Sequence, residues 1–122
     1  MARVVFIGIE EATARLIGVA LTAQRHEIAQ KTWDSVLPGL MEADIVFAGG
    51  DSADYLSLLR RVREARPGMP FVVVARCSDV AQWLDALEAG ATDYCAAPFE
   101  MQHVQWVMES AMLGRASHRL VA

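Results

Sequence analysis

Short runs of apolar, mostly β-branched residues recur along this chain and alternate with helical patterns. The plainest run is Phe71-Val72-Val73-Val74, which follows Pro70 and precedes the polar residues Arg76 and Ser78. Runs of this length and composition are typical of strands that are buried on both faces of a sheet. Further strand patterns are Val4–Ile7, Ile45–Ala48, the shorter Tyr94-Cys95-Ala96 and the weaker Glu27–Thr32.

Apolar residues at the spacing of one helix face fill the intervals between the strands. For the first helix we expect a core face that consists of Ala12, Leu16, Val19, Ala20 and Ala23. A brief helix capped by Asp34 or Ser35 would carry Val36, Leu40 and Met41. The next helix, with N-caps available from Asp51 to Asp54, would end at Arg66 and would bury Tyr55, Leu58, Leu59 and Val62.

The last two helices follow the same spacing. Asp79 would cap a helix that ends at Gly90 and buries Val80, Leu84 and Leu87. A final helix from Glu100 to about Leu113 would bury Met101, Val104, Val107, Met108 and Ala111. At about 100° per residue, Trp106 lies roughly 200° from Val104, so we expect Trp106 to face solvent.

Strands that alternate with helices at this pace predict a doubly wound α/β domain, in which right-handed crossovers cover both faces of a parallel sheet. A chain of 122 residues fits one such domain, and we expect it to span residues 1–114. The mildly basic segment 115–122 would be a tail or the start of a linker to a possible output domain.

The composition argues against several classes of function. The formal net charge is -4 and the basic residues are dispersed, which argues against direct nucleic-acid binding by charge. No apolar run approaches the roughly 20 residues of a membrane span, and Val4–Ile7 is too short for the core of a signal peptide. We therefore expect a cytoplasmic protein without membrane association.

Candidate metal and catalytic residues are few. Cys77 and Cys95 lack the spacing of metal ligands, so we expect two free thiols, one of them buried in a strand. The histidines are dispersed and form no metal or catalytic motif: they are His26, His103 and His118. We expect no enzymatic activity, no metal and no cofactor.

The segment Gly90–Phe99 carries a resemblance to a known family. Its small-residue turn, its strand and its Pro98-Phe99 ending resemble the last-strand region of the receiver domains of bacterial two-component response regulators. Asp44 before the third strand and the segment Leu58–Glu64 add to the likeness. The resemblance implies a flavodoxin-like (βα)5 fold, with five parallel strands in the order 2-1-3-4-5 and a site at their carboxyl ends.

In that family an acidic pair binds magnesium, an aspartate accepts the phosphoryl group, and a hydroxyl and a lysine hold it. Carried over one at a time, these positions fall on Gly8, Ile9, Gly49, Ala75 and Ala97. None of these residues offers the carboxylate, hydroxyl or ammonium group that magnesium binding and phosphoryl transfer require. The resemblance thus predicts a degenerate pseudo-receiver that acts in signalling or transcriptional regulation through phosphorylation-independent protein–protein interaction.

Two alternatives use the same edge of the sheet differently. An active phosphoacceptor in a phosphorelay could use the shifted acids Glu10 and Asp51, although Asp51 is also placed to cap a helix. A ligand-binding flavodoxin-like domain would need an apolar crevice near Gly8, Gly49 and Ala97. These glycines do not form the Gly-x-Gly-x-x-Gly motif of dinucleotide sites.

Members of the resembled family meet partners through the fourth helix, the fifth strand and the final helix. Large exposed aromatic residues are enriched at interfaces, and Trp83 and Trp106 fall on this face. We therefore predict that a protein partner or a second copy of the chain binds there, with contacts from Trp83, Leu87, Tyr94, His103 and Trp106. Because Ala75 lacks the hydroxyl that would move it, Tyr94 is expected to hold a fixed ring.

Overall fold

The computed structural model describes residues 3–23, 25–31, 42–76, 79–96 and 102–110. The strands of its single sheet are β1 (Arg3–Ile7), β2 (Glu27–Lys31), β3 (Ile45–Ala48), β4 (Phe71–Ala75) and β5 (Asp93–Ala96). The helices are α1 (Glu11–Ala23), α2 (Ser52–Ala65), α3 (Val80–Glu88) and α4 (102–110). The helix predicted around Val36, Leu40 and Met41 lies outside the described residues.

All strand pairs are parallel, and the strands lie in the order β2-β1-β3-β4-β5. The predicted doubly wound α/β fold and its strand order are therefore confirmed. β3 is buried along its whole length because its neighbours β1 and β4 flank it and helices cover both faces. Within the described residues, no helix is long and apolar enough to cross a membrane.

Alternate side chains of the strands divide the core into two layers. Val4 and Phe6 of β1 point towards the layer that α1 and α4 cover, and the Phe6 ring meets Phe47 edge-on with centroids 5.7 Å apart. Val5 and Ile7 point to the opposite layer, which α2 and the small residue Ala86 of α3 cover. This alternation is the period-two pattern of a strand with two buried faces.

The predicted core face of α1 is wrong for most of its members. The buried residues of α1 are Ala14, Ile17, Ala20 and Leu21. Leu16 and Val19 are 49% and 58% exposed, and Ala12 and Ala23 are also exposed. Eight of the thirteen residues of α1 are alanine, valine, leucine or isoleucine, so the helix has two apolar stripes. The stripe with Ile17 and Leu21 buries more apolar surface, and it takes the core position.

The predicted core face of α3 is also wrong. Val80, Leu84 and Leu87 are exposed, and Ala86 is the buried residue of this helix. Ala86 packs in the same layer as Tyr94 of β5. A small side chain lets the α3 backbone approach the strand closely, and this turns the larger apolar residues of α3 sideways into solvent.

The other helix predictions agree with the structure. In α2 the buried residues are Tyr55, Leu58, Leu59 and Val62, as predicted. In α4 the predicted core residues Val104, Val107 and Met108 are buried, while Met101 and Ala111 lie outside the described residues. The Asp79 carboxylate accepts a hydrogen bond from the Gln82 amide at 3.1 Å, which confirms it as the cap of α3.

Arginine side chains fasten the amino ends of β4 and β5 to α2. Nε and Nη2 of Arg63 donate to the Gly90 carbonyl at 2.9 and 2.7 Å, and Nη1 donates to the Met69 carbonyl at 2.6 Å. Nη1 of Arg66 donates to the Ala43 carbonyl at 2.8 Å. Partial burial lowers the pKa of Arg63 from its ordinary value. These bonds join the last turn of α2 to the turn between α3 and β5.

Candidate functional site

The carboxyl ends of β1, β3 and β4 meet at one edge of the sheet and enclose a cavity of about 40 Å³. Its lining residues come from the segments that follow these strands, and they are Gly8, Ile9, Glu10, Thr13, Gly49, Gly50, Val74, Ala75 and Arg76. A cavity of this size holds about one water molecule. Within the described residues, the space around Gly8 and Gly49 is thus smaller than the apolar crevice that the ligand-binding alternative needs, and Ala97 lies outside the described residues.

Gly49 closes the floor of this cavity. Its amide donates to the Ile7 carbonyl at 2.9 Å, which holds the residue tightly against β1. A Cβ atom at this position would lie 2.9 Å from the Gly8 carbonyl oxygen and 3.2 Å from the Val74 carbonyl oxygen. Both neighbours are backbone atoms, so neither can rotate away, and the position has no space for a side chain.

Glycine is also favoured by backbone conformation on either side of the cavity. Gly8 has a φ of 67° and Gly50 a φ of 83°, in the left-handed region that other residues rarely adopt. The turn at Gly8 is what directs its carbonyl oxygen towards Gly49. The two loops that would hold a phosphoryl group are thus built on glycine backbone.

An ion pair that the sequence analysis missed crosses the mouth of the cavity. Glu10 Oε2 lies 3.3 Å from Arg76 Nε, so the segment after β1 is bound to the segment after β4. Both side chains are largely exposed, and pairs of this kind contribute about 0–1 kcal/mol. An acid after one parallel strand and a base after another could have indicated it, because both follow carboxyl ends at the same edge.

The two acids of the phosphoacceptor alternative are placed differently. Glu10 lines the cavity and is paired with Arg76, whereas Asp51 is exposed and is the N-cap residue of α2. The Asp51 carbonyl accepts the amides of Asp54 and Tyr55, and its side chain makes no capping hydrogen bond. Asp51 is not among the residues that line the cavity. Among the described residues, no three His, Cys, Asp or Glu side chains are grouped to hold a metal ion.

Cys95 is a free, buried thiol in β5, as predicted, while Cys77 lies outside the described residues. Burial, with a further contribution from Asp93, raises the pKa of Cys95 to about 12. The thiol is therefore protonated at neutral pH and is a poor nucleophile. Burial lowers the pKa of His26, and this residue lies between α1 and β2, away from the cavity.

A second candidate surface extends from α3 across β5 to α4, and we call it the α3–α4 face. Trp106 of α4 is 59% exposed, Val80 and Trp83 of α3 are 67% and 42% exposed, and Leu84 and Leu87 of α3 are also exposed. A groove of about 300 Å³ lies between the helices, and it is lined by Asp79, Val80, Trp83, Tyr94, Ala96 and His103. His103 and Trp106 stack at an angle, with ring centroids 6.4 Å apart.

The predicted interaction residues fall on this face with one qualification. Trp83, Leu87, His103 and Trp106 are exposed. Tyr94 lines the groove, but its side chain is buried. Val80 and Leu84 are also exposed on α3, although their spacing predicted that they would lie in the core.

The arrangement of strands and helices is shared with solved structures of known proteins. A response regulator receiver domain protein from Clostridium thermocellum matches the whole chain over its own whole length, with a TM-score of 0.82 and 17% sequence identity. The chain has the receiver fold of response regulators. The receiver domain of NtrX from Brucella abortus matches 88% of the chain and 96% of its own length, with a TM-score of 0.79 and 23% identity.

Sequence comparison finds relatives among transcriptional regulators. The chain is 26% identical over 98 residues to the transcriptional regulatory protein ZraR of Salmonella typhimurium, and this match covers 77% of the chain. It is 26% identical over 100 residues to the DNA-binding transcriptional regulator NtrC of Escherichia coli, which covers 80% of the chain. The chain spans about a fifth of the length of these curated relatives. No protein-family model matches the sequence.

The receiver fold gives a common location to the positions predicted as degenerate. Gly8, Ile9, Gly49 and Ala75 line the same cavity at the carboxyl edge of the sheet. Ala97 lies outside the described residues. Among the described residues that line this cavity, Glu10 supplies a carboxylate, Thr13 a hydroxyl and Arg76 a cation. The cation is paired with the carboxylate rather than left for an anionic ligand.

Proposed function

We propose that this chain is an atypical, pseudo-receiver domain of a two-component response regulator, which acts by phosphorylation-independent protein–protein interaction. The observation that carries the proposal is the environment of Gly49. The resemblance places the phosphoacceptor at this residue, which has no carboxylate. A Cβ atom added to Gly49 would lie 2.9 Å from the Gly8 carbonyl oxygen. A receiver that lacks both the acceptor and the space for one binds rather than catalyses.

The surrounding charges support the same proposal. Phosphoryl transfer depends on magnesium and on cations that neutralise the developing charge. Near Gly49 the Glu10 carboxylate is paired with Arg76. This pair connects the loops after β1 and β4, which a phosphoryl group and its metal ion would otherwise connect. This exposed pair stabilises the arrangement by about 0–1 kcal/mol, and it supports the proposal by placing a carboxylate and a cation against each other rather than around a phosphoryl group.

Exposed apolar side chains support an interaction role for the α3–α4 face. Exposed tryptophan and leucine side chains of this number are costly on a surface that meets only water. The groove between α3 and α4 adds a concave element lined by Trp83, Tyr94 and His103. This face is where a protein partner or a second copy of the chain would dock.

The relatives suggest a setting for the domain. ZraR and NtrC are transcriptional regulators several times longer than this chain. By analogy we place the domain in the cytoplasm and in the control of transcription, with an output domain covalently linked after residue 122. The partner protein, rather than DNA, would be what this domain itself contacts.

Treatment with acetyl phosphate and magnesium tests the phosphorylation-independent part of the proposal. We expect intact-mass spectrometry to show no phosphoryl adduct, and about 10 mM magnesium to leave tryptophan fluorescence unchanged, because the described residues include no group of three His, Cys, Asp or Glu side chains that could hold the ion. An acyl phosphate on Asp51 that disappears in Asp51→Asn would contradict the proposal and would support the phosphoacceptor alternative with Glu10.

A further inference from the structure

The distribution of charge along the chain is uneven around the α3–α4 face. From Cys77 to Gly114 the sequence holds six of the fifteen acidic residues and none of the eleven lysines and arginines. This third of the chain has a formal charge of -6, whereas the rest has +2, which together give the net charge of -4. Every residue of α3, β5 and α4 belongs to this segment, so the face lacks any lysine or arginine of its own.

The acidic residues border the apolar side chains of the face. Asp79 lines the groove at the start of α3 together with Val80 and Trp83. Glu88 follows Leu84 by four residues, which places the two side chains next to each other on the α3 surface. The face is therefore an apolar stripe with a negative border.

The spacing of the stripe fits a helix as the occupant. Val80, Leu84 and Leu87 recur at four and three residues along α3, which is the ridge pattern through which one helix packs against another. The groove between α3 and α4 is lined by Tyr94 and Ala96 of β5 and by Trp83 of α3. Amphipathic helices bind grooves of this kind through apolar residues at the same spacing.

We propose that the α3–α4 face receives an amphipathic helix of another protein, whose apolar stripe is bordered by lysine and arginine. This inference rests on the proposed interaction function and adds the chemistry of the partner. A complementary basic border removes the electrostatic cost of covering the acids, and it steers the encounter.

A second copy of the chain fits this face less well. A two-fold dimer would place the same acidic border against itself, and like charges that face each other oppose association. The other exposed apolar stripe, on α1, does not supply a basic border either, because Arg15 is already paired with Glu11 at 2.7 Å. The charge pattern therefore favours a different protein as the occupant.

The test uses three labelled peptides with one common leucine stripe and a polar face of lysine, glutamine or glutamate. Binding to the whole 122-residue chain is followed by fluorescence anisotropy. We expect the lysine peptide to bind about tenfold or more tightly than the glutamate peptide, and its affinity to fall as sodium chloride rises from about 50 to about 500 mM.

Charge-reversal variants locate the binding. Glu88→Lys should weaken the lysine peptide about fivefold, whereas the control Glu27→Lys, on β2, makes the same change in net charge and should alter affinity less than about twofold. Equal effects of the two variants would overturn the inference, because the peptide would then sense only net charge.

Two further outcomes separate this inference from the function on which it rests. If sedimentation shows a wild-type dimer that Trp106→Glu dissociates, the face binds a second copy, so the basic-partner inference fails while the interaction function stands. If Trp83→Glu and Trp106→Glu change neither sedimentation nor peptide affinity, the α3–α4 face is not an interface, and the interaction function fails with it.

Discussion

Gly49 lies where two backbone carbonyl oxygens occupy the space that a side chain would need. The pairing of β1 with β3 ends at Ile7 and Ala48, and the Gly49 amide donates to the Ile7 carbonyl just beyond it, so Gly49 cannot move away from these carbonyls without losing that bond. Packing in the fold therefore requires glycine at position 49, whether or not phosphorylation has been lost. The addition of a single methyl group at this position tests the requirement.

Replacing Gly49 by alanine is expected to lower the free energy of unfolding by about 1–3 kcal/mol, the usual cost of overpacking. Gly68→Ala is the matched control, because no atom lies within 4 Å of the Cβ that it would add. There we expect no loss, or a gain of up to about 1 kcal/mol from the stiffer unfolded chain. Urea denaturation measures both, and equal stabilities would contradict the described contact.

Cys95 makes stability depend on alkaline pH. Its pKa of about 12 in the folded protein is higher than in the unfolded chain, so the unfolded state loses the proton first as pH rises. The contribution is complete below pH about 9 and is lost progressively as pH rises towards about 12, with a slope of at most about 1.4 kcal/mol per pH unit.

The variant Cys95→Ala isolates this effect from every other contribution to the pH dependence of stability. We expect its free energy of unfolding, measured in urea between pH 8 and pH 11, to fall less steeply than that of the wild type. Parallel curves for the two proteins would show that the thiol is not buried as described.

The strands and the helices differ in how well the sequence predicted them. Strands such as Phe71–Val74 were predicted well, because a continuous β-branched run has only one common interpretation in an alternating chain. The exposed faces of α1 and α3 were not, since each helix has apolar residues on more than one side. Periodicity identifies a helix in such cases, but packing of neighbours such as Ala86 decides which side is buried.

The candidate site also has features that the sequence predicted and features that it did not. The positions of Gly8, Gly49 and Ala75 could be predicted from strand counting, because parallel strands end at one edge. The contact between Gly49 and the Gly8 carbonyl could not, since it depends on a left-handed backbone turn. The pair Glu10–Arg76 depends on loop geometry that strand counting does not provide.

Two leucines of α1 test the assignment of its faces with one type of substitution. Leu21 is fully buried, so Leu21→Ala should lower the free energy of unfolding by about 2–5 kcal/mol. Leu16 is 49% exposed, and Leu16→Ala should change it by no more than about 0.5 kcal/mol. Thermal or urea unfolding measures both, and a reversed order would restore the face predicted from the sequence.

At the scale of the whole molecule, the two edges of the sheet are fixed by different means. At the carboxyl edge, Glu10 and Arg76 make one exposed ion pair. At the amino edge, Arg63 donates to the carbonyls of Met69 and Gly90 from a partly buried position. Hydrogen bonds from a charged, shielded donor are the stronger kind, so among these contacts of the described residues the Arg63 bonds contribute more to stability than the Glu10–Arg76 pair.

Loss of the Arg63 side chain should therefore destabilise the contacts of α2 with the segments that precede β4 and β5. Arg63→Met keeps much of the aliphatic stem but leaves two carbonyls without this donor, and we expect a loss of about 2–4 kcal/mol in the free energy of unfolding. Arg60→Met, at an exposed position of the same helix, should cost no more than about 0.5 kcal/mol. Hydrogen exchange should show faster opening of the Gly90 turn in Arg63→Met alone.

The contact between Gly49 and Gly8 also bears on how the proposed loss of phosphorylation could be reversed. An aspartate placed at position 49 alone would meet the Gly8 carbonyl oxygen, so we expect this single substitution to lower stability without creating a phosphorylation site. The turn at Gly8 would have to change as well, and that change has no benefit of its own. If the proposed pseudo-receiver descends from a phosphorylated domain, its return to phosphorylation would need two coordinated substitutions, of which neither is favourable alone.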